Sequence, residues 1–297
     1  MGYESVGLGI FTLLSVAPAV PIVLLGTRWL RAPKRQSIKP LLLSIAAALF
    51  VYAVVWLDAF IIEPNWPVLT TITLDAPIKK PLTILHLSDL HLEQDHPRRE
   101  QWLVRRLADL KPDLIVLTGD IHQMENFNAD SLRQVLSRLR APLGVFGCVG
   151  FDHVSVLRDA APNLRMLVNE AVVLPWGDQT VGIAGLTDAG KHDAAYAAMA
   201  SADFRIILNH TPDLIEEAAK ESAHLYLCGH THGGQVRIPF WGAIITNTDT
   251  GKRYEAGPYS VGEMHAYTSR GLGLEPSPAP PVRFFCRPEI IEIRLVP

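Results

Sequence analysis

The sequence has few cysteines and no excess of positive charge. Its three cysteines, Cys148, Cys228 and Cys286, are far apart and form no CxxC pair. That spacing speaks against a disulfide framework and against a structural zinc site, and it leaves the redox compartment open. The net charge is −3, whereas nucleic-acid binding needs a basic surface that neutralises phosphates. We therefore expect no nucleic-acid partner.

Long apolar runs near the N-terminus indicate a membrane anchor. Hydrophobic residues make up 48% of the 297 residues, a high share for a soluble protein. Residues 6–25 carry no charge, residues 41–62 carry only Asp58, and each run is about as long as a bilayer is thick. The pattern predicts two transmembrane helices that form a hairpin within residues 1–66. A cleaved signal peptide fits the first run less well, because no Lys or Arg precedes Arg28.

The loop between the two runs is basic. It holds no acidic residue and five positive side chains, at Arg28, Arg31, Lys34, Arg35 and Lys39. The positive-inside rule places such a loop in the cytoplasm, so the rest of the chain is expected on the outer side of a bacterial inner membrane. If the first run does not span the bilayer, the large domain lies in the cytoplasm instead. Residues 67–81 contain three prolines and are expected to form a partly extended connector.

Residues 82–297 alternate short apolar strands with amphipathic helices. A helix predicted over residues 98–110, for example, lies between predicted strands at 84–92 and 113–117. The order of strand and helix then repeats less regularly toward the C-terminus. It is typical of an α/β domain with a mixed sheet, or with two sheets covered by helices.

Potential metal ligands follow the ends of several predicted strands. The stretch 84–92, ILHLSDLHL, ends in Asp89 and His91, whose side chains point the same way if the strand alternates regularly. The residues that follow later strands are Asp120, Asp152, His153, His210, His230 and His232. Ligands of open α/β folds bind beyond the carboxyl ends of the strands. Oxygen and nitrogen donors without paired cysteines suit Mn²⁺, Fe²⁺ or Zn²⁺, and their number predicts two ions.

Four sequence blocks resemble the calcineurin-like metallophosphoesterases. The blocks are SDLH at 88–91, TGD at 118–120, NHTPD at 209–213 and GHTHGG at 229–234, and they occur in the family's order. The apolar N-terminus, the extended GHTHGGQVRIP and the tail SRGLGLE…PVRFFCRPEI are similar to the bacterial membrane-anchored branch. The resemblance implies a four-layer αββα sandwich with a dinuclear metal centre.

The resemblance also implies residue roles and a reaction. The implied ligands are Asp89, His91 and His232 for the first ion, Asp120 as the bridge, and His210 and His230 for the second ion. A metal-bound hydroxide would hydrolyse a phosphate ester or pyrophosphate bond, and a histidine would protonate or orient the leaving oxygen.

The third family block is not conserved in this chain. Where the family has Gly-Asn-His-Asp, residues 150–153 read Gly-Phe-Asp-His. A gapless match puts Phe151 at the position of the metal-binding Asn, and a phenyl ring cannot bind a metal. A shift by one residue makes Asp152 the ligand and His153 the catalytic histidine, and it is the interpretation we favour. A third alignment equates Asp152 with the family's Asp, and loss of the block would leave a weakened or single-metal protein.

Three functions fit these observations. The first is a membrane-anchored phosphoesterase acting on a phosphorylated small molecule or a lipid-linked substrate, and the second is a UDP-2,3-diacylglucosamine diphosphatase of lipid A synthesis. The basic loop speaks against the second, whose substrate is handled in the cytoplasm. The third is a non-catalytic membrane scaffold that binds a phosphorylated ligand. Phe240, Trp241 and Ile244 follow the last histidine block and are candidates for a membrane-contact or acyl surface, or for ordinary packing.

Overall fold

The fold comes from a computed structural model that describes residues 19–30, 37–92, 97–122, 129–152, 154–275 and 280–297. Two helices lie at the N-terminal end. Helix α1 spans Ala19–Leu30 and contacts α2, which spans Lys39–Leu57. Helix α2 continues through a π-helical turn at Asp58–Ile62 and a 3-10 turn at Glu63–Asn65.

One of the two predicted transmembrane spans has a counterpart in the structure. The segment Lys39–Asn65 is a 27-residue helix long and apolar enough to cross a membrane. The other predicted span, 6–25, lies mostly outside the described residues, and its described part belongs to α1. The predicted hairpin is therefore not confirmed.

The first sheet has six strands in the order β1-β14-β2-β3-β4-β5. Its strands are β1 (Val68–Asp75), β2 (Leu82–Leu87), β3 (Leu114–Thr118), β4 (Val145–Cys148), β5 (Leu164–Met166) and β14 (Glu289–Val296). Strands β2 to β5 run parallel, and β14 is antiparallel to β2. The parallel crossovers contain helices α3 (Pro97–Asp109), α4 (Ala129–Leu136) and α5 (Val154–Ala160). Central strands β2 and β3 are apolar along nearly their whole length because both faces of the sheet are covered.

The second sheet also has six strands, in the order β12-β13-β9-β8-β7-β6. Its strands are β6 (Glu170–Trp176), β7 (Gln179–Gly185), β8 (Phe204–Leu208), β9 (Leu225–Cys228), β12 (Gly257–Val261) and β13 (Met264–Thr268). Helices α6 (Asp193–Met199) and α7 (Ile215–Lys220) connect its parallel strands, and a separate hairpin pairs β10 (Arg237–Ile238) with β11 (Gly242–Ala243).

Three apolar cores divide the domain into four layers. The central core packs the inner faces of the two sheets together, with Ile84 and Val116 from one and Ile183 and Ile206 from the other. A second core lies between the first sheet and its helices, and a third between the second sheet and α6 and α7. The α/β fold with mixed sheets is as predicted, and its layers are helix, sheet, sheet, helix.

The sheet begins earlier in the chain than the sequence pattern indicated. Within residues 67–81, which we expected to be a connector, the stretch 68–75 forms β1 and pairs in parallel with β14 along its full length. Its sequence VLTTITLD is rich in β-branched residues, which favour strands. The prolines lie outside the strand, so they do not interrupt its ladder of hydrogen bonds.

The helical segment Lys39–Asn65, called the membrane-type helix below, is attached to the domain at its C-terminal end by a buried carboxylate. Glu63 accepts hydrogen bonds from the backbone amides of Phe285 and Cys286. The amide of Arg283 donates to the carbonyl oxygen of Ala59 at 2.9 Å. Ala59 packs with Val236 and with residues 282 and 284 in a small apolar cluster. The helix end therefore contacts the segment 282–286 directly.

Replacing Glu63 should loosen this attachment. Glu63→Ala leaves the amides of Phe285 and Cys286 without their acceptor, and we expect a loss of about 2 kcal/mol of unfolding free energy. Glu63→Gln keeps one acceptor oxygen and should lose less. Thermal unfolding in detergent micelles measures the effect, with Glu263→Ala in an exposed turn as the control. A Glu63→Ala midpoint equal to the control would contradict the attachment.

Candidate metal centre

The predicted ligands lie on turns beyond the strand ends, not on the strands themselves. Strand β2 ends at Leu87, so the alternation of a strand does not orient Asp89 and His91. Both have a left-handed backbone, with φ of 47° and 41°. Asp120, His230 and His232 share this conformation, with φ of 51°, 66° and 48°. Such backbone costs on the order of 1–3 kcal/mol at a non-glycine residue, and its concentration here indicates a functional site.

The carboxyl ends of the two sheets meet at Gly229. A Cβ atom at this position would lie 1.9 Å from Oγ of Ser88 and 2.1 Å from Oδ2 of Asp89, so only glycine fits. The next amide, that of His230, donates to both carboxylate oxygens of Asp89 at 3.0 and 3.1 Å. This contact brings the ligands after β9 against those after β2.

The ligands form two groups of three, each with its donor atoms within 4.8 Å of one another. The groups are Asp89, His91 and His232, and Asp89, Asp120 and His210. Oδ2 of Asp120 lies 3.7 Å from Nε2 of His91 and 3.5 Å from Nε2 of His210. The Asp120 carboxylate thus lies between a histidine of the first group and one of the second, as a bridging ligand would, while Asp89 belongs to both groups.

Two pairs of histidine nitrogens face each other across the site. Nε2 of His91 lies 3.2 Å from Nε2 of His232, and Nε2 of His210 lies 3.1 Å from Nδ1 of His230. When neither nitrogen of a facing pair carries a proton, their lone pairs point toward a shared position, which is the arrangement a cation would satisfy.

Backbone carbonyls determine which ring nitrogen of His210 and of His230 is available to a metal. Nδ1 of His210 lies 2.8 Å from the carbonyl oxygen of Thr118, and Nε2 of His230 lies 3.0 Å from that of Asn247. A carbonyl oxygen only accepts, so these two nitrogens carry protons. The nitrogens left to bind a metal are Nε2 of His210 and Nδ1 of His230, the two that face each other.

Burial and mutual charge shift the ionisation of the site. Burial raises the pKa of Asp89 to about 7, with Asp120 adding to the effect and His210 opposing it. Burial would also raise the pKa of Asp120, but His210 and His91 outweigh it and hold that pKa well below its usual range. Burial would lower the pKa of His210, yet Asp120 and Asp89 raise it to about 10. Burial lowers the pKa of His91 to about 4 and holds the pKa of His232 well below its ordinary value.

A chain of buried hydrogen bonds holds the Asp89 carboxylate. Oγ of Ser88 donates to Oδ2 of Asp89 at 2.5 Å, and Oγ1 of Thr118 donates to Ser88 at 2.7 Å. Nε2 of His86 lies 2.8 Å from Thr118 Oγ1. Burial lowers the pKa of His86 to about 3, so this ring is neutral. The chain orients Asp89 from behind without adding charge.

The block at 150–153 contributes in a way that its sequence did not indicate. The exposed ring of Phe151 lies 6.0 Å from the ring of His210 and 6.4 Å from that of His230, and its amide donates to Oδ1 of Asp120 at 2.8 Å. Oδ1 of Asp152 accepts from the amide of Ile121 at 2.8 Å, while Oδ2 has a long contact of 3.5 Å with the Gly150 amide. Metal binding by Asp152 thus stays a prediction, and His153 lies outside the described residues.

Two residues of the C-terminal tail, which the sequence analysis did not predict as site residues, lie at the metal centre. Oε2 of Glu275 lies 3.3 Å from Nε2 of His232, and burial, with Asp89 and Asp120, raises the pKa of Glu275 to about 7. The fully buried guanidinium of Arg283 donates to the carbonyl of Arg270 and lies 3.5 Å from Nδ1 of His232. Their only sequence signal was a charged residue within a Gly- and Pro-rich tail.

The donor set fits a pair of divalent cations. The carboxylates and imidazoles are nearly all buried, and buried charges of this density require a cation or each other as partners. Imidazole and carboxylate donors suit Mn²⁺, Fe²⁺ or Zn²⁺. A carboxylate between two sets of ligands defines a dinuclear metalloprotein of the hydrolytic class.

Comparison with known proteins identifies the family. The family model described as Calcineurin-like phosphoesterase superfamily domain matches residues 82–238. The chain belongs to this superfamily, whose members use a dinuclear divalent metal centre, and it is a metal-dependent phosphoric ester hydrolase. That membership speaks against the non-catalytic scaffold.

Several relatives cover most of the chain. Phosphodiesterase YaeI of Escherichia coli K12 is 33% identical over 73% of this chain and 83% of its own length. The metallophosphoesterase YkuE of Bacillus subtilis 168 is 32% identical over 70% of this chain and 76% of its own length. UDP-2,3-diacylglucosamine pyrophosphatase LpxG of Chlamydia muridarum is 27% identical over 84% of this chain and 96% of its own.

Metal binding should stabilise the protein through Asp120. A ligand at 100 times its dissociation constant adds about 2.7 kcal/mol to the unfolding free energy, so saturating Mn²⁺ should raise the melting temperature by several degrees. Asp120→Asn removes the charge between the two groups of ligands and should abolish most of this rise. Differential scanning fluorimetry with and without Mn²⁺ measures it, with Asp178→Asn in an exposed turn as the control. Equal rises in all three proteins would refute the assignment.

Proposed function

We propose that the protein is a membrane-anchored phosphoesterase that hydrolyses a phosphate ester or pyrophosphate bond of a lipid-linked or membrane-proximal substrate. The observation that carries the proposal is the position of Asp120, whose Oδ2 lies within 3.7 Å of His91 and within 3.5 Å of His210. Two cations bridged in this way form the apparatus for in-line attack at phosphorus.

The proposed roles follow from the contacts of each side chain. We assign Asp89, His91 and His232 to the first ion, and His210 and His230 to the second. When bound, the ions supply Lewis-acid charge stabilisation and an activated water. The chain itself orients the Asp120 carboxylate, because the amide of Phe151 donates to Oδ1 while Oδ2 faces His91 and His210, with which it would hold the ions. For His153, which lies outside the described residues, the role is proposed from the sequence alignment: it would deliver the proton to the leaving oxygen.

The anchoring half of the proposal rests on α2. None of its side chains is buried in the protein, and Leu43 and Phe50 are 72% and 70% exposed, while the residues at 41, 45, 48, 52 and 55 form a half-buried stripe. A helix that is apolar all round requires an apolar environment, and the contact with α1 covers at most one of its faces. A bilayer supplies it.

A sugar-nucleotide lipid is the second candidate substrate. The LpxG relative aligns with 96% of its own length, which includes the region before the phosphoesterase domain. Hydrolysis of UDP-2,3-diacylglucosamine at its pyrophosphate bond would release UMP. The basic loop before α2, which predicts an extracytoplasmic domain, argues for a different lipid-linked phosphate.

Turnover assays on the purified full chain with Mn²⁺ separate these alternatives. We expect hydrolysis of bis-p-nitrophenyl phosphate, with a loss of at least about 100-fold in Asp120→Asn. Release of UMP from UDP-2,3-diacylglucosamine at a much higher kcat/KM would favour the second candidate. Absence of metal-dependent turnover on every phosphoester tested would overturn the proposal.

Asp152→Asn tests the favoured alignment of the third block. If Oδ2 of Asp152 binds the second ion, neutralising it should lower the bound metal from two ions toward one per chain and reduce turnover about tenfold or more. The asparagine side chain keeps Oδ1, which still accepts from the amide of Ile121, so the free energy of unfolding should change little. Metal content by plasma mass spectrometry is the measurement, and the exposed Asp159→Asn is the matched control.

The opposite outcome also has a distinct signature. A full metal content in Asp152→Asn, combined with a lower melting temperature in Asp152→Ala, would make Asp152 a structural acceptor for the amides of residues 121 and 122. Phe151→Asn would then be expected to raise affinity for the second ion, because it places an amide oxygen beside His210 and His230.

A further inference from the structure

Five exposed apolar side chains surround the end of the membrane-type helix. We call them the apolar rim: Trp66, Ile238, Phe240, Trp241 and Phe285. Phe240 is fully exposed, and Trp241, Phe285 and Trp66 are 67%, 58% and 57% exposed. Aromatic side chains usually bury most of their surface, so several exposed ones on neighbouring chain segments mark an interaction site.

The members of the rim lie on chain segments that contact one another. Phe240 and Trp241 form the tip of the β10–β11 hairpin. The amide of Arg237 in β10 donates to the carbonyl of Phe284 at 2.9 Å, which places Phe285 beside the hairpin. The amide of Phe285 in turn donates to Glu63 at 2.9 Å, at the end of the helix.

Two members of the rim are held in a costly backbone conformation. Phe240 and Phe285 have φ of 66° and 51°, in the left-handed region that bulky residues rarely adopt. Neither ring is buried in compensation. Strain at an exposed aromatic side chain is explained when the side chain has a partner outside the chain.

Each tryptophan of the rim is paired with a cation. The guanidinium of Arg287 lies 3.9 Å from the ring of Trp66, and its Nε donates to the Trp66 carbonyl. Nζ of Lys252 lies 4.5 Å from the ring of Trp241 and donates to the Trp241 carbonyl. Tryptophan with adjacent lysine or arginine is the composition of the membrane–water interface, where cations meet anionic headgroups.

The position of the rim along the helix agrees with the thickness of a bilayer. About 20 helical residues cross the hydrocarbon core, so a span that starts at Lys39 ends near Asp58. The segment 282–286 contacts the helix at Ala59 and Glu63, just beyond that level. The rim is therefore at the height at which the helix leaves the membrane.

The rim is also close to the metal centre. Sγ of Cys286 donates to the carbonyl of His232 at 3.2 Å, and a guanidinium nitrogen of Arg237 donates to that of Gly233 at 2.9 Å. A surface that fixes the segments of the rim at the membrane therefore also fixes the ligand loop 230–234 near it.

We propose that the apolar rim inserts into the headgroup and acyl boundary of the bilayer that α2 spans, and so holds the metal centre at the lipid surface. This inference rests on the anchoring part of the proposed function. It gives a physical basis for a lipid-linked substrate, since the reacting phosphate would remain at the headgroup level where the centre is held.

Site-directed spin labelling of the full chain tests the proposal. The three native cysteines are buried, so a nitroxide on Phe240→Cys reports from the rim alone. In vesicles of phosphatidylcholine with one quarter phosphatidylglycerol, we expect its ratio of collisions with oxygen to collisions with a polar nickel chelate to exceed the control about threefold or more. The control label is on Asp178→Cys, in the exposed turn before β7 and at the end of the sheet opposite the metal centre.

Other outcomes would overturn the proposal. A Phe240→Cys ratio equal to that of Asp178→Cys would place the rim in water. Low collision with both reagents, or spin–spin broadening that disappears on dilution with unlabelled protein, would place a protein or a second copy on the rim instead. Trp241→Cys provides a repeat of the measurement from the neighbouring position.

A turnover assay separates failure of this inference from failure of the proposed function. The Phe240→Ser/Trp241→Ser variant should hydrolyse soluble bis-p-nitrophenyl phosphate at the unmodified rate, because neither side chain is a proposed ligand. If the nitroxide at position 240 lies in the bilayer but the protein has no turnover, only the phosphoesterase proposal is refuted. If the nitroxide lies in water and the protein is active, only the membrane insertion of the rim is refuted.

Discussion

The arrangement of the whole site depends on one close contact, where the turn after β9 meets the turn after β2 at Gly229. A side chain there would collide with Ser88 and Asp89, and the amide that follows holds both oxygens of the Asp89 carboxylate. Because β2 and β9 belong to different sheets, this contact fixes how the carboxyl ends of the two sheets face each other. The packing of the sheets behind it supplies the rigidity, since their inner faces form one continuous apolar core.

The fold combines local strain with long-range support. Five of the six principal ligand residues have a left-handed backbone, which only strong surroundings can maintain. Those surroundings include the hydrogen bond that His230 donates to the carbonyl of Asn247 and the buried chain of hydrogen bonds through Ser88. In the absence of metal, His210 and His91 keep Asp120 ionised, and Asp120 and Asp89 in turn raise the pKa of His210 to about 10. Divalent cations would take over the charge balance that this proton provides.

The end of helix α2 and the metal centre are parts of one connected structure. The end of α2 binds the segment 282–286 through Glu63, and the same segment contacts His232 through Arg283 and Cys286. A change in the position of the helix would therefore move Cys286, which contacts both Glu63 and the predicted ligand His232. The enzyme class, a metal-dependent phosphoric ester hydrolase, follows from the family.

The sequence by itself determined the α/β alternation and the order of the ligand blocks, because apolar strands and the donors at their ends are local features. It did not reveal β1, since prolines on both sides resembled a connector, and it attributed the convergence of Asp89 and His91 to strand alternation although left-handed turns produce it. Only the tertiary structure placed Glu275 and Arg283 at His232 and gave the nitrogens of His210 and His230 their backbone partners. It also left the ring of Phe151 exposed and directed Oδ1 of Asp152 toward a backbone amide. These features depend on contacts between residues far apart in the chain, and such contacts are decided by how the sheets pack, not by any local pattern.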